Sequence, residues 1–284
     1  MANPIILDGK SLAEKSNLEI AKRANTLTER FKRPPALAAI IVGEDPASKT
    51  YVSMKEKACK SLGVKTITHH VPEQSTTEEL LELIEVLNQD SSVDGILLQH
   101  PAPKHIDEQK CFNAIALHKD VDGVSTNGYG NMAMGLEAFK SCTPFGIMRL
   151  LKNFQIDCSG KLALVIGRSQ ILGKPMSALL LNADATVITA HSKTKNLEKL
   201  ICDAEIVVAA VGIPKFINCK MLKKGSVLVD AGYHPSEKCG DVDMEGIKDI
   251  VSAYTPVPGG VGPMTINTLI LNTVNAMEKN CSEQ

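Results

Sequence analysis

The stretch Tyr51-Val52-Ser53-Met54-Lys55 sets a phenol and an amine four residues apart, and on a helix that spacing puts both on one face. A lysine held beside an aromatic ring in a partly dry cleft has its ammonium form disfavoured, which readies the amine for proton transfer. The plain alternative is a surface lysine on a charged helix. Further along, GILLQHPAP (95–103) ends an apolar run in Gln99, whose amide can hold an amine or a water because it both donates and accepts. His100 follows, either as a ligand or base or as a satisfied loop histidine, and two prolines stiffen what comes after it. HKDVDG (118–123) offers Asp122, which can accept hydrogen bonds from an N–H-rich heterocycle or simply cap a turn. TPVPGGVGPMT (255–265) packs three glycines and three prolines into eleven residues ahead of a helix. Such a loop lets backbone approach a flat ligand closely, though an interdomain hinge would look the same.

A second chemistry is written in ALVIGRSQILGKP (163–175), an apolar strand that breaks at Gly167 and resumes as a helix after Gly173. Strand, glycine turn and helix suit phosphate binding, since the free amides of a helix start point at an anion. The dinucleotide spacing G-x-G-x-x-G is absent, and Arg168 and Ser169 stand where bare backbone is expected. An NAD site carries an acidic residue at the end of the next strand, to bind the ribose 2′-hydroxyl. Here TVITA runs into His191, Ser192, Lys193, Thr194 and Lys195, with no carboxylate. Hydroxyls and cations attract a 2′-phosphate that a carboxylate would repel, so the residues favour NADP over NAD. Solvated surface charges on an unoccupied fold are the alternative.

These groups need a scaffold, and the hydropathy pattern supplies one. An amphipathic helix is predicted over 9–31, a strand over 36–43, a helix over 47–62, a strand near 64–71, a helix over 77–88 and a strand over 93–99. After a loop-rich span (100–142) the alternation restarts, with strands at 161–166, 185–190, 205–210 and 226–229 and helices near 172–182 and 196–202. A final apolar helix is predicted over 263–278. Alternating strands and helices imply right-handed crossovers and mostly parallel sheets, an α/β fold. A chain of 284 residues exceeds what one core organises, so two domains of roughly 100–150 residues are expected.

Bulk properties narrow the function classes. With a net charge of −1 and no long basic run, nucleic acid and anionic membrane are not expected partners. No apolar run reaches the ~20 residues of a bilayer span, and MANPIILDGKSLAEK lacks a signal-peptide core, so a cytoplasmic location is expected. Eight scattered cysteines include no C-x-x-C pair and no histidine at metal spacing, which reads as reduced thiols and no metal site.

Taken together and in order, VGEDPASKTYVSMKEKA, GILLQHPAP, KDVDG, CTPFGIMRLL, GKLALVIGRSQILGKPMSALL, ATVITAHSKT, GDVD and TPVPGGVGPMTINTLI resemble the methylenetetrahydrofolate dehydrogenase / methenyltetrahydrofolate cyclohydrolase family essentially from end to end. The resemblance implies two α/β domains. Residues 1–142 plus 264–284 would form the folate-binding domain and 143–263 a Rossmann-like NADP-binding domain, with substrate in the cleft between them. It further implies NADP-dependent oxidation of 5,10-methylenetetrahydrofolate and hydrolysis of the 5,10-methenyl product to 10-formyltetrahydrofolate, by a cytoplasmic homodimer. Dehydrogenation needs alignment more than a strong base, because two folate nitrogens stabilise the cation formed. Hydrolysis needs a titratable group, and Lys55 matches the family's catalytic lysine.

By the same resemblance Tyr51 stacks on the folate, Gln99 tunes the lysine and Asp122 reads the pterin edge. Leu98, His100, Pro258, Gly259, Gly260, Val261 and Gly262 lie against substrate, while Gly167, Arg168, Ser169, Ser192 and Tyr233 hold the cofactor. Three departures stand out: His100 and Ala102 replace leucines of a common V-Q-L-P-L-P string, Ser125 stands where a histidine is common, and D-V-G-I-N appears as DAGYH (230–234). No G-x-x-x-x-G-K-[ST] string occurs, so ATP-dependent formate ligation is not expected. A catalytically silent NADP sensor and a dehydrogenase for another small acid are the competing readings; the intact Tyr51, Lys55, Gln99 and Asp122 set argues against the sensor.

Overall fold

A computed structural model describes residues 3–282. In chain order these form β1 (Ile5–Ile6), α1 (Gly9–Phe31), β2 (Ala36–Val42), α2 (Pro46–Ser61), β3 (Lys65–Val71), α3 (Thr77–Gln89) and β4 (Gly95–Leu98). Next come α4 (Glu108–Ala114), α5 (Thr126–Ala133), α6 (Cys142–Asn153), β5 (Leu162–Ile166), α7 (Gly173–Leu181) and β6 (Thr186–Ala190). The remainder is α8 (Leu197–Asp203), β7 (Ile206–Ala209), β8 (Val227–Asp230), β9 (Ala253–Tyr254) and α9 (Val261–Ser282), with three short 3-10 turns between elements.

The chain divides into two compact units, one holding Lys15–Cys142 and Ile266 onward, the other the described residues up to Glu14 and Thr143–Thr265. In the first, a parallel sheet runs in the order β3-β2-β4. All seven residues of β2 are buried, as a parallel strand covered on both faces requires, and this is why ALAAIIV reads as one apolar run. Asp45 caps α2 by accepting from the Ser48 amide at 2.7 Å, and Pro46 opens the helix where an amide would be unpaired in any case. Thr76 and Glu79 close a capping box on α3. The chain leaves β2 for β3 on one side and returns to β4 on the other, so β2 and β4 end side by side at a reversal of strand order.

The second unit holds a six-stranded parallel sheet ordered β1-β9-β8-β7-β5-β6. Four of its strands were expected; β1 and β9 were not, because two-residue strands leave no periodicity to read. Ile5 and Ile6 pair with Ala253 and Tyr254, and Leu7 is fully buried in this unit's core with Val165, Val208 and Val229, so the described chain start packs with this unit, where residues 1–142 were expected to group together in the other. The loop-rich span 100–142 also carries two short helices, α4 and α5, started by Asp107 and Ser125, whose side chains accept from the Lys110 and Gly128 amides. The last helix begins at Val261, two residues earlier than predicted.

Candidate active site

In the first unit, α2 carries Tyr51 and Lys55 one turn apart, and Lys55 Nζ donates to Gln99 Oε1 at 2.9 Å. Gln99 is the residue after β4 and is only 8% exposed, so this pair joins helix α2 to the reversal edge of the sheet. Both ends of the Gln99 amide are engaged, since its Nε2 donates to the His100 carbonyl at 2.7 Å. Tyr51 is partly exposed on the helix face that it shares with the lysine. Asp122 is half-buried; its carboxylate acts on both His100 and the buried Cys142 thiol, and its carbonyl accepts the Cys142 amide at 3.3 Å. Burial first, and then Asp122, push that thiol well above its ordinary range, so it stays protonated. Leu98, the last residue of β4, is 2% exposed, with its side chain packed in the sheet core.

His100 is not an isolated loop histidine. Its Nδ1 lies 2.9 and 3.1 Å from the two carboxylate oxygens of Glu108, which also accepts the Ala102 amide. The hydrogen bond that His100 donates to Glu108 raises the His100 pKa. Burial pushes the Glu108 carboxyl upward, but the bonds from His100 and Ala102 outweigh it and leave that pKa lowered. Glu108 was not singled out from the sequence; the acidic residue opening a helix just after QHPAP was the available signal. Ser125 caps α5, and its hydroxyl and amide both bond the buried Asp120 carboxylate, whose pKa burial nonetheless raises.

In the second unit, Gly167 follows β5 at the point where strand order reverses between β5 and β7. Its φ is +138°, its amide donates to Ala190 at the end of β6, and a Cβ there would lie 2.2 Å from the Ala210 carbonyl oxygen after β7. A Cβ on Gly173 would lie 2.2 Å from the Gly167 carbonyl oxygen, so only glycine closes this turn onto the start of α7. Ser169 shapes the turn, its hydroxyl accepting from the Gly173 amide at 3.3 Å. Arg168 is exposed and makes no ion pair among the described residues. After β6, Thr194 Oγ1 accepts the His191 amide and His191 Nδ1 the Lys193 amide, folding a tight turn that leaves Ser192 and Lys193 exposed. Bare glycine backbone, a helix start, a free guanidinium and the absence of a carboxylate after β6 fit a 2′-phosphorylated dinucleotide.

At the end of β8, Asp230 accepts the Gly232, Asp241 and Val242 amides. Asp241, fully buried, accepts from Val211 and Gly212 after β7 at 2.6 and 3.0 Å and pairs with His234 Nε2 at 2.9 Å. The two carboxylates thus tie the loops at the carboxyl ends of β7 and β8 and carry Tyr233, which is 46% exposed. Sequence reasoning quoted GDVD without assigning Asp241 this role. In the loop 258–262, Pro258 and Gly262 are exposed, whereas Gly260 and Val261 are buried at the start of α9. Gly259 accepts the Lys10 amide and Gly260 donates to Pro256, both at 2.8 Å. Among the described residues no group of three or more His, Cys, Asp or Glu side chains is placed to hold a metal, and no helix is long and apolar enough to cross a membrane.

Comparison with known proteins meets this geometry from outside. A family model described as the tetrahydrofolate dehydrogenase/cyclohydrolase catalytic domain matches residues 7–122, and one described as the NAD(P)-binding domain of that family matches residues 141–281. The chain is 54% identical over 275 residues to the bifunctional protein FolD of Cellvibrio japonicus, covering 97% of this chain and 98% of that protein. The solved bifunctional enzyme FolD of Campylobacter jejuni superposes with a TM-score of 0.94 at 44% identity, covering 97% of this chain and 99% of that one. A methylenetetrahydrofolate dehydrogenase-cyclohydrolase of Trypanosoma brucei, described as complexed with NADP cofactor and inhibitor, gives 0.93 at 31% identity, covering 99% of each chain. With a buried glutamine holding the α2 lysine and a glycine turn shaped for a dinucleotide, each inside the half that its family domain matches, the chain belongs to the tetrahydrofolate dehydrogenase/cyclohydrolase family.

Proposed function

We propose that this protein oxidises 5,10-methylenetetrahydrofolate to 5,10-methenyltetrahydrofolate with NADP and hydrolyses the product to 10-formyltetrahydrofolate. When bound, NADP+ accepts the hydride that the one-carbon bridge loses. The protein's part in that step is to align: the Gly167 turn and the α7 amides take the phosphates, and Arg168, Ser192 and Lys193 select the 2′-phosphate. Ser169 contributes through the turn it closes, and the Tyr233 segment at the carboxyl end of β8 would lie beside the nicotinamide.

Hydrolysis asks for more. Water adding to the methenyl carbon must lose a proton, and the C–N bond to the ring nitrogen breaks as the new hydroxyl becomes a formyl carbonyl and that nitrogen takes a proton. Lys55 accepts the first proton and returns one to the nitrogen; the net reaction releases one proton. Gln99 holds Nζ in place, Tyr51 stacks on the folate, Asp122 accepts from the pterin N–H edge, and the 258–262 loop lies along the substrate. His100 contacts the substrate only as part of its loop. The observation that carries this reading is the 2.9 Å contact between Lys55 and a glutamine that is almost wholly buried.

Replacement of Lys55 by methionine should abolish methenyl hydrolysis while part of the NADP-dependent dehydrogenation survives, both followed spectrophotometrically. Hydrolysis at the wild-type rate in that variant would refute the role. The family likeness and the near-neutral charge support a cytoplasmic homodimer that pairs through the nucleotide-type unit and engages neither nucleic acid nor membrane; sedimentation of the purified chain reads its oligomeric state.

A further inference from the structure

The loop after β4 holds an arrangement that the lysine and glutamine alone do not account for. Glu108, at the first position of α4, binds the His100 imidazole through both oxygens and also accepts the Ala102 amide, so one carboxylate grips the chain on either side of Pro101. The residue so gripped supplies the carbonyl that accepts Gln99 Nε2 at 2.7 Å. With Nε2 committed there, Oε1 is the group left for Lys55. A reversed amide would set Oε1 against the His100 carbonyl oxygen, acceptor facing acceptor, and leave that carbonyl without its donor. The orientation of Gln99 therefore depends on where the His100 carbonyl sits.

We infer that Glu108 is a positioning residue for proton transfer: by clasping His100 and Ala102 it fixes the carbonyl that orients Gln99 toward Lys55. The inference rests on the proton-transfer role given to Lys55 above. An apolar residue at position 100 could hold the same loop only by packing, and His100 is too exposed for that, with its side chain 44% accessible. The clasp replaces packing with a charge-assisted bond. Two carboxylates act on the imidazole, Glu108 from α4 and Asp122 from the turn ahead of α5, and both favour its cation. Of these, Glu108 alone is bonded to it.

The decisive variant is Glu108→Gln, which keeps an oxygen for the Ala102 amide and a residue tolerated at a helix start, and removes the charge that holds the imidazole. The hydrolysis kcat should fall about fivefold with KM within about twofold, while the dehydrogenase kcat changes less than about twofold. The His100 imidazole, followed by NMR, should titrate lower in the variant than in the wild type, and the pH profile of hydrolysis should move with it. In a His100→Leu background the same substitution should have no further effect, because the partner is gone. Unchanged hydrolysis, equal loss of both activities, or a full loss that persists in the His100→Leu background would each overturn the inference. Lys55→Met assayed alongside separates the two levels. An inactive Lys55 variant beside a silent Glu108 variant sinks the positioning role alone, whereas an active Lys55 variant sinks both.

Discussion

Replacing Asp230 by asparagine tests the electrostatics at the end of β8, where the DAGYH segment begins. Asp230 is 2% exposed, and three backbone amides donate to its carboxylate at 2.9 to 3.0 Å. Burial nevertheless raises its pKa from 3.8 to about 6; the amides oppose the rise, and the neighbouring Asp241 carboxylate adds to it. The folded state thus keeps a proton that the unfolded chain gives up. The stability conferred by holding it is complete below the unfolded value and is lost as pH rises through about 6. At about 1.4 kcal/mol per pKa unit the whole effect is ~3 kcal/mol, of which ~2.5 kcal/mol falls between about pH 4 and about pH 8. Asparagine does not titrate. It also turns an NH2 toward the Val242 amide that Oδ2 now accepts, which lowers stability by ~1–2 kcal/mol at every pH. Urea unfolding of both proteins across that range should show the wild type's advantage shrinking by ~2.5 kcal/mol from the acid end to the alkaline end. Parallel pH curves for the two proteins would refute the reasoning.

Gly167→Ala should cost ~2–4 kcal/mol in urea unfolding and remove NADPH binding in a fluorescence titration, since the new Cβ has the Ala210 carbonyl oxygen 2.2 Å away at a φ that side chains avoid. Undiminished cofactor binding would mean that the turn does not hold the phosphates. Arg168→Ala removes an exposed side chain, so stability should stay within ~0.5 kcal/mol while KM for NADP rises about tenfold and KM for NAD hardly moves. An equal rise for both cofactors would assign the guanidinium to something other than the 2′-phosphate.

Long buried strands and amphipathic helices were legible because their periodicity survives in the residues: ALAAIIV and LALVI can hardly be anything but strands covered on both faces. What stayed hidden was either short or relational. Two-residue β1 carries no pattern, and its place in the nucleotide-type sheet depends on a partner strand some 250 residues away in the chain. The turns holding α4 and α5 read as loop because Ser and Asp caps look alike in turns and at helix starts. Among site residues, Lys55 and Gln99 could be singled out because their types announce chemistry, and the structure brings the two into contact. The burial of Leu98 was hidden because it cannot be read from a residue next to a loop.

The departures from the family pattern show how such relations are built. Each of three polar side chains arrives beside a carboxylate a few residues away: His100 with Glu108, Ser125 with Asp120, and His234 with Asp241. A polar group placed where the pattern is apolar, or of another shape, loses hydration on folding and destabilises the chain unless a partner receives it. The partner must also be one that burial does not forbid. Asp120 and Asp241 meet that condition by accepting backbone amides besides the new side chain, as Glu108 does with Ala102. A lone substitution at 100, 125 or 234 in isolation reads as damage to the motif. Coupled to its carboxylate, it becomes a different way of holding the same loop, and the two must be changed together before the loop's conformation can be expected to persist.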